Sequence, residues 1–359
     1  MTHFQRYRAL APIALTACAV VANAELHYHV TEIGGLPGAD HSYISAINNL
    51  NHVVGTSYAP GTSRGFMWRE DWGVLEVHLY HADSSVATDI NDNDAVVGFM
   101  SENGFEQGFT THYGGWWFNE GIGGVSGGHT QGINNLNQSV GGTGWAEDVR
   151  ATGWLLGSPG FGLPNYGPQE PSVAFRINDS GESVGWARLA GLTRATWFRN
   201  NNTVFDLHGM LPGGTTSSIA KDINNLGWVV GHFQDGNSHS YGFVFNQELG
   251  MQVIDYGTVG LNLNAINNSG MAVGRSNGSE ALIWTQNTGL INMNSLIDPN
   301  DGWDLVNAID INDNGWITGH GVHNGVYTTF VARPDSVPEP ASLSIIAIGL
   351  GTLVARRRR

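Results

Sequence analysis

Cysteine and lysine are almost missing from this chain. Among its 359 residues there is one of each, Cys18 and Lys221, and charged residues of every kind make up only 13%. A lone cysteine closes no disulfide, so an extracellular form of this protein must rest on its core alone; roughly 310 residues are ample for one. Cations are scarce as well as few in kind. Six of the sixteen Lys and Arg lie at the chain's ends, so residues 25–339 carry ten cations against 31 Asp and Glu, a net charge of −21. Such a surface repels nucleic acid and anionic lipid, which excludes DNA, RNA and a peripheral membrane surface as partners. Dispersed acidity of this kind serves solubility. Two motifs of common enzymes are absent too: there is no His-Glu-x-x-His helix and no phosphate-binding loop.

What is present begins at the two ends. Arg6 and Arg8 form a positive region, residues 9–21 an apolar one, and Ala22-Asn23-Ala24 a small-x-small cleavage site before Glu25. This predicts a signal peptide over 1–24. Leu15-Thr16-Ala17-Cys18 also fits a lipoprotein acylation box, but the residues after Cys18 stay apolar where a lipoprotein turns polar. Cleavage after Ala24 removes the only thiol. At the other end Pro338-Glu339-Pro340 precedes an apolar segment, 341–355, and then Arg356, Arg357, Arg358 and Arg359. Apolar residues leave water for lipid, and four terminal arginines stop the tail with the cluster on the cytoplasmic side. The segment is shorter than the roughly 20 residues of a comfortable span, which suits a transient stop. The order of parts resembles the PEP-CTERM sorting signal of Gram-negative bacteria. That resemblance implies cleavage by an exosortase, a membrane protease-transpeptidase; the plainer alternative is an uncleaved anchor.

Between the ends the chain repeats itself. The phrase Ile-Asn-(Asn/Asp)-x-(Gly/Asn/Asp)-x-x-Val-Gly recurs, with small variations, at Ile47, Ile90, Ile133, Ile177, Ile223, Ile266 and Ile311, at spacings of 43 to 46. The position four after the isoleucine is always Gly, Asn or Asp, residues that tolerate left-handed backbone, so each copy reads as a hairpin turn of type I followed by such a residue. A strand ending on glycine follows, from Gly55 to Gly319, and a small residue at one place in every unit points to close backbone approach. An aromatic strand comes next, such as Gly65-Phe66-Met67-Trp68 or Ala195-Thr196-Trp197-Phe198, and then a connecting strand such as Thr203-Val204-Phe205-Asp206-Leu207. Four short strands per unit of about 44 residues predict an all-β, seven-bladed β-propeller over 25–335; the rival is an open β-solenoid. Residues 27–33 resemble a connecting strand and are expected to supply the first unit's missing strand.

The copies resemble bacterial extracellular HAF repeats, whose pattern Ala-x-x-Ile-Asn-x-x-Gly-x-Val-Val-Gly precedes an Ala-Phe-x-Trp strand. Residues 46–55 with Phe66 and Trp68, and 265–274 with Ala281 and Trp284, carry the likeness. The third and fourth units depart from it, with Gly132 for Ala and Phe175-Arg176 before Ile177. The resemblance implies architecture and an extracellular location, and brings no activity.

Three candidate chemistries remain. Asp310-x-Asn312-x-Asn314-Gly315 opens like a calcium loop but lacks the closing Glu, since the twelfth position is Gly321; turn chemistry is the expected role, Ca²⁺ the weak alternative, and no cofactor is otherwise implied. His27 and His29, like His320 and His323, have no third ligand at a recognisable spacing. Trp68, Trp117, Trp154, Trp197 and Trp284 read as packing between blades, whereas Trp228 and Trp316 follow the turn glycine and could stack on sugar rings. The sequence therefore predicts an exported, non-enzymatic propeller of the envelope or matrix, with exopolysaccharide as ligand. A secreted carbohydrate-active hydrolase or lyase with channel carboxylates is the alternative.

Overall fold

The seven Ile-Asn phrases become seven hairpin turns. The computed structural model describes residues 26–335 apart from short stretches at 78–80, 113–114, 120–127, 145–147, 156–158, 168–169 and 201. The signal-peptide residues Ala22 and Ala24, Cys18, and the sorting residues from Pro338 to Arg359 lie outside the described residues. At each turn the residue four after the isoleucine has a positive φ, between 58° at Asp94 and Asn137 and 80° at Gly270. Asn51 N–H donates to the Asn48 carbonyl at 3.0 Å and Asn48 N–H to the His52 carbonyl at 3.0 Å, which closes the loop as expected.

Each turn joins the first two strands of a four-stranded antiparallel sheet, and there are seven such sheets within His27–Pro334. The blades are residues 41–76, 84–119, 128–162, 172–206, 217–254, 261–292 and 303–334. Helix among the described residues is limited to short 3-10 turns such as His208–Met210. The architecture is the all-β seven-bladed propeller that the period predicts.

One strand goes elsewhere than the sequence reading placed it. The first blade already has its outer strand, Gly73–Glu76. The seventh repeat stops after its aromatic strand, Val326–Pro334, and so leaves an open edge. Strand Tyr28–Glu32 covers that edge, pairing antiparallel from Tyr28 with Pro334 to Glu32 with Phe330. The physical reason is the unpaired backbone of an edge strand. The two ends of the domain thus close the circle within one blade.

The repeated glycine also has a sharper cause than crowding at the centre. In every blade the innermost strand carries a β-bulge just before the turn, for instance between Ile44 and Ala46. The bulge tilts a carbonyl of that strand onto the face of the second strand, so a Cβ at Gly55 would meet the carbonyl oxygen of Tyr43 and the ring of Phe66. The second strand does not end there; it runs on to Ala59. The bulged residues, Ser45 in the first blade and Lys221 in the fifth among them, are turned into the central channel.

Packing between blades is apolar. Trp197, Phe243, Phe245 and Leu207 join the fourth and fifth blades, and Val230, Leu261, Leu263 and Trp284 the fifth and sixth. Trp68, Trp154, Trp197 and Trp284 are all buried, as their place in the repeat predicts; Trp117's side chain lies outside the described ones.

Candidate functional site

The asparagine of each Ile-Asn phrase does two jobs. Its side-chain oxygen caps its own turn: Asn48 Oδ1 accepts from the N–H of Leu50 at 3.1 Å and of His52 at 2.9 Å. Its side-chain nitrogen reaches the next blade: Asn48 Nδ2 donates to the Asn91 carbonyl at 2.9 Å. The same bond runs from Asn91 to Asn134, Asn134 to Asn178, Asn178 to Asn224, Asn224 to Asn267, Asn267 to Asn312, and Asn312 back to Asn48, at 2.8 to 3.2 Å. Seven identical bonds close a ring around the channel.

A second ring lies on the next residue. Asn49 N–H donates to Asp92 Oδ1 at 2.8 Å, and the pattern continues through Asn135, Asp179, Asn225, Asn268 and Asp313 back to Asn49. Asn and Asp alternate here, so each carboxylate has an amide on both sides. Asp92 Oδ2, for example, accepts from Asn49 Nδ2 at 3.1 Å and from Asn135 Nδ2 at 3.0 Å. Seven is odd, so one like pair is unavoidable, and it is Asn225 beside Asn268 and not two carboxylates.

Deeper in the channel are three aspartates, Asp89 buried and Asp222 and Asp310 half-buried, and one arginine. Asp89, Asp222 and Asp310 each accept the N–H of their own next residue and the N–H of the isoleucine in the following blade: Ile133 at 2.9 Å, Ile266 at 2.8 Å and Ile47 at 2.9 Å. Arg176 crosses the channel from the fourth blade. Its guanidinium lies 3.9 Å from Asp89, donates to the Gln131 carbonyl at 2.9 Å and reaches the Ser45 carbonyl of the first blade at 3.4 Å. Gly132 makes room for it, since a Cβ there would press on the backbone of Phe175 and Arg176. The two departures from the repeat, Gly132 and Arg176, are therefore one feature. Burial pushes Asp310 up to about 7, with Arg176 opposing and Asp222 adding to the rise; Asp89 and Asp222 are raised for the same reason. Arg176 lines both a cavity of about 160 Å³ on the asparagine side and one of about 260 Å³ beyond it, and so divides the channel.

The sequence candidates sit mostly on the turn side. Asp310 has both carboxylate oxygens on backbone N–H groups, Asn312 belongs to the first ring, and Asn314 Nδ2 donates to the Asn49 carbonyl at 2.8 Å. Among the described residues no group of three or more His, Asp, Glu or Cys is poised to hold a metal. Trp228 is half-buried against the apolar cluster that holds Val230, Val244 and Leu261; Trp316 is half-buried against the cluster that holds Ile47 and Trp68, with Arg333 5.9 Å from its ring. His320 is buried, and its Nε2 accepts from Ile44 N–H at 3.1 Å, tying the seventh blade to the first; burial holds the ring neutral, down to about 4.

The sequence reading missed the opposite end of the channel. There a cavity of about 640 Å³ opens between the fifth and sixth blades, lined by Lys221, His232 and Arg275 together with Ser, Asn and Gln side chains. Nearby, Tyr43 and Tyr327 are 44% and 52% exposed and flank His320, with ring centroids 5.3 and 5.9 Å from it. The available sequence signal was the lone lysine, placed at a bulge.

Residues 336–359 match the PEP-CTERM protein-sorting motif, a signal of exported proteins that implies processing by an exosortase. No curated protein resembles the chain closely enough in sequence to count as a relative. Among solved structures, a streptogramin B lyase is 10% identical with a TM-score of 0.52, over 86% of this chain and 98% of that one. A catalytically inactive virginiamycin B lyase from Staphylococcus aureus, bound to quinupristin, is 11% identical with a TM-score of 0.52, over 85% and 99%. An oligogalacturonate lyase from Vibrio parahaemolyticus is 9% identical with a TM-score of 0.52, over 88% and 92%. At such identities the likeness is one of fold. The chain is a seven-bladed β-propeller that carries a C-terminal PEP-CTERM sorting signal.

Proposed function

We propose that this chain is a non-catalytic binding propeller, exported through a signal peptide over 1–24 and delivered by exosortase cleavage near Pro338-Glu339-Pro340 to the envelope or the surrounding matrix, with exopolysaccharide as its ligand. One observation carries the binding role over catalysis. Asp89, Asp222 and Asp310 each accept two backbone N–H groups and share the charge of Arg176, so these carboxyls are engaged in joining one blade to the next. The other end of the channel offers a polar cavity beside exposed tyrosines, the kind of surface on which sugar rings stack. The carbohydrate-active hydrolase or lyase is the second reading, favoured by Asp310, whose carboxyl lies near 7.

A glycan array on residues 25–335 tests both readings, with Tyr43→Ala, Tyr327→Ala, Trp228→Ala and Trp316→Ala alongside. Binding lost in the tyrosine variants and kept in the tryptophan variants places the ligand at the cavity end. Release of reducing ends or unsaturated products from a bound glycan, abolished in Asp310→Asn, would overturn the non-catalytic reading.

A further inference from the structure

Most cations of this domain are paired. Arg64, Arg69, Arg176, Arg194, Arg199 and Arg333 each lie within 4.0 Å of a carboxylate. Lys221 and Arg275 form no ion pair among the described residues, and both face the cavity of about 640 Å³. In a domain with three acidic residues for each basic one, two unpaired cations meeting in one cavity is not what solubility requires.

Lys221 is placed there by the bulge of strand Ser217–Ile223. Its ammonium lies 4.9 Å from the ring centroid of Phe175, and burial, helped by Arg176 and opposed by Asp222, lowers its pKa. Lys221 is half-buried, and its ammonium has no hydrogen-bond partner among the described residues, so it is open to an acceptor from a ligand. His232 adds an unsatisfied group: its Nδ1 is buried and has no hydrogen-bond partner among the described residues. Burial, with the nearby charges of Lys221 and Arg275, holds that ring neutral, down to about 4. One anion in this cavity would accept from Lys221 and from the exposed Arg275, beside the neutral imidazole of His232.

We propose that Lys221, His232 and Arg275 form a pocket for the carboxylate of an acidic saccharide, with Tyr43 and Tyr327 at the same channel mouth stacking on its sugar rings. The inference rests on the polysaccharide reading above and narrows it to uronate-bearing chains. Several observations favour a sugar over a bare ion. The cavity is far larger than an ion needs, and its remaining walls are amide and hydroxyl side chains such as Asn262, Asn277 and Ser240. Asn307, which lines the cavity, is the cross-strand partner of His320, the ring that both tyrosines flank, so cavity and tyrosines belong to one mouth. The acidic remainder of the surface slows approach of a polyanion, so capture at this pocket depends on salt.

The test is binding of residues 25–335 to polygalacturonate, to neutral dextran and to dextran sulfate, with monomeric galacturonate and inorganic sulfate as small probes. Lys221→Met and Arg275→Gln are the variants. Lys221→Met removes a half-buried charge that no carboxylate pairs among the described residues, so its melting temperature is expected to hold or rise, which separates lost binding from lost fold. Polygalacturonate bound in preference to dextran, and weakened about tenfold by each variant, supports the pocket. Galacturonate bound and lost in the variants, without binding of any polymer, also supports it while removing the polysaccharide reading. Polygalacturonate and dextran bound equally, with both variants unchanged, overturns the pocket and leaves the polysaccharide reading standing. Binding of the sulfated probes alone, or of none of the five, overturns the proposal.

Discussion

A carboxamide carries a donor and an acceptor, whereas a carboxylate at neutral pH only accepts. That difference accounts for the residues around the channel. The first ring needs an acceptor for its own turn and a donor to the next blade, and it is Asn in all seven repeats. The second ring needs an acceptor for a backbone N–H and, where a carboxylate sits, donors on either side. Asn225→Asp would place a carboxylate beside Asp179 and remove the 2.9 Å donation from Asn225 Nδ2 to Asp179 Oδ2. We expect a cost of about 1–2 kcal/mol in urea unfolding at pH 7, shrinking below about pH 4 as the new carboxyl protonates. An unchanged midpoint at pH 7 would contradict the alternation. The Asn of the phrase was legible as a turn residue. Its second bond was not, because the partner is a residue one whole repeat away.

At the level of the strand, the glycine and the bulge are one device. The bulge turns a residue into the channel, and the displaced carbonyl then occupies the space a side chain would need on the neighbouring strand. Gly231→Ala would drive its methyl onto the Ile219 carbonyl and the Phe243 ring, which lies 2.7 Å from the built Cβ. A loss of about 2–4 kcal/mol in denaturant unfolding is expected. Gly236→Ala, where the same Cβ meets open space, should stay within about 0.5 kcal/mol. Equal effects at both sites would mean that backbone freedom, not the carbonyl, selects the glycine. The small residue and its need for close approach were readable from the repeat. The bulge was not, since an extra residue in one strand shows only against its partner's register. The closing strand Tyr28–Glu32 teaches the same lesson, because its resemblance to a connecting strand names its type and not its blade.

For the whole molecule the decisive property is pH. Asp310 titrates near 7 in the folded chain, against about 4 in an unfolded one. Between those values the folded state holds a proton that the unfolded state has lost, so this stabilisation is complete below about pH 4 and disappears as pH rises through 7. His232 and His320 act in the opposite sense. Held at about 4, they resist the proton that an unfolded His takes up near 6.5, and so cost stability as pH falls. The difference between the natural protein and Asp310→Asn isolates the carboxyl. The natural protein's advantage should grow by about 2–3 kcal/mol from pH 8 to pH 5, measured by denaturant unfolding at each pH. A difference independent of pH would show that Asp310 titrates as an ordinary carboxyl.

The sequence by itself determined the strand period, the turn chemistry, the number of blades, the aromatic packing strand and the sorting tail. Each of these is a local pattern repeated along the chain or a signal read in one stretch. Tertiary structure alone decided what meets at the axis. Residues some 43 to 46 apart come into contact only when neighbouring blades stack, and Asn312 meets Asn48 only when the circle closes, so the two hydrogen-bonded rings, Arg176 among its aspartates and the cavity holding Lys221, His232 and Arg275 exist only in the assembled propeller. Where the repeat departs from itself, at Gly132, Arg176 and Lys221, the sequence marked the place, and the geometry of closure supplied the reason.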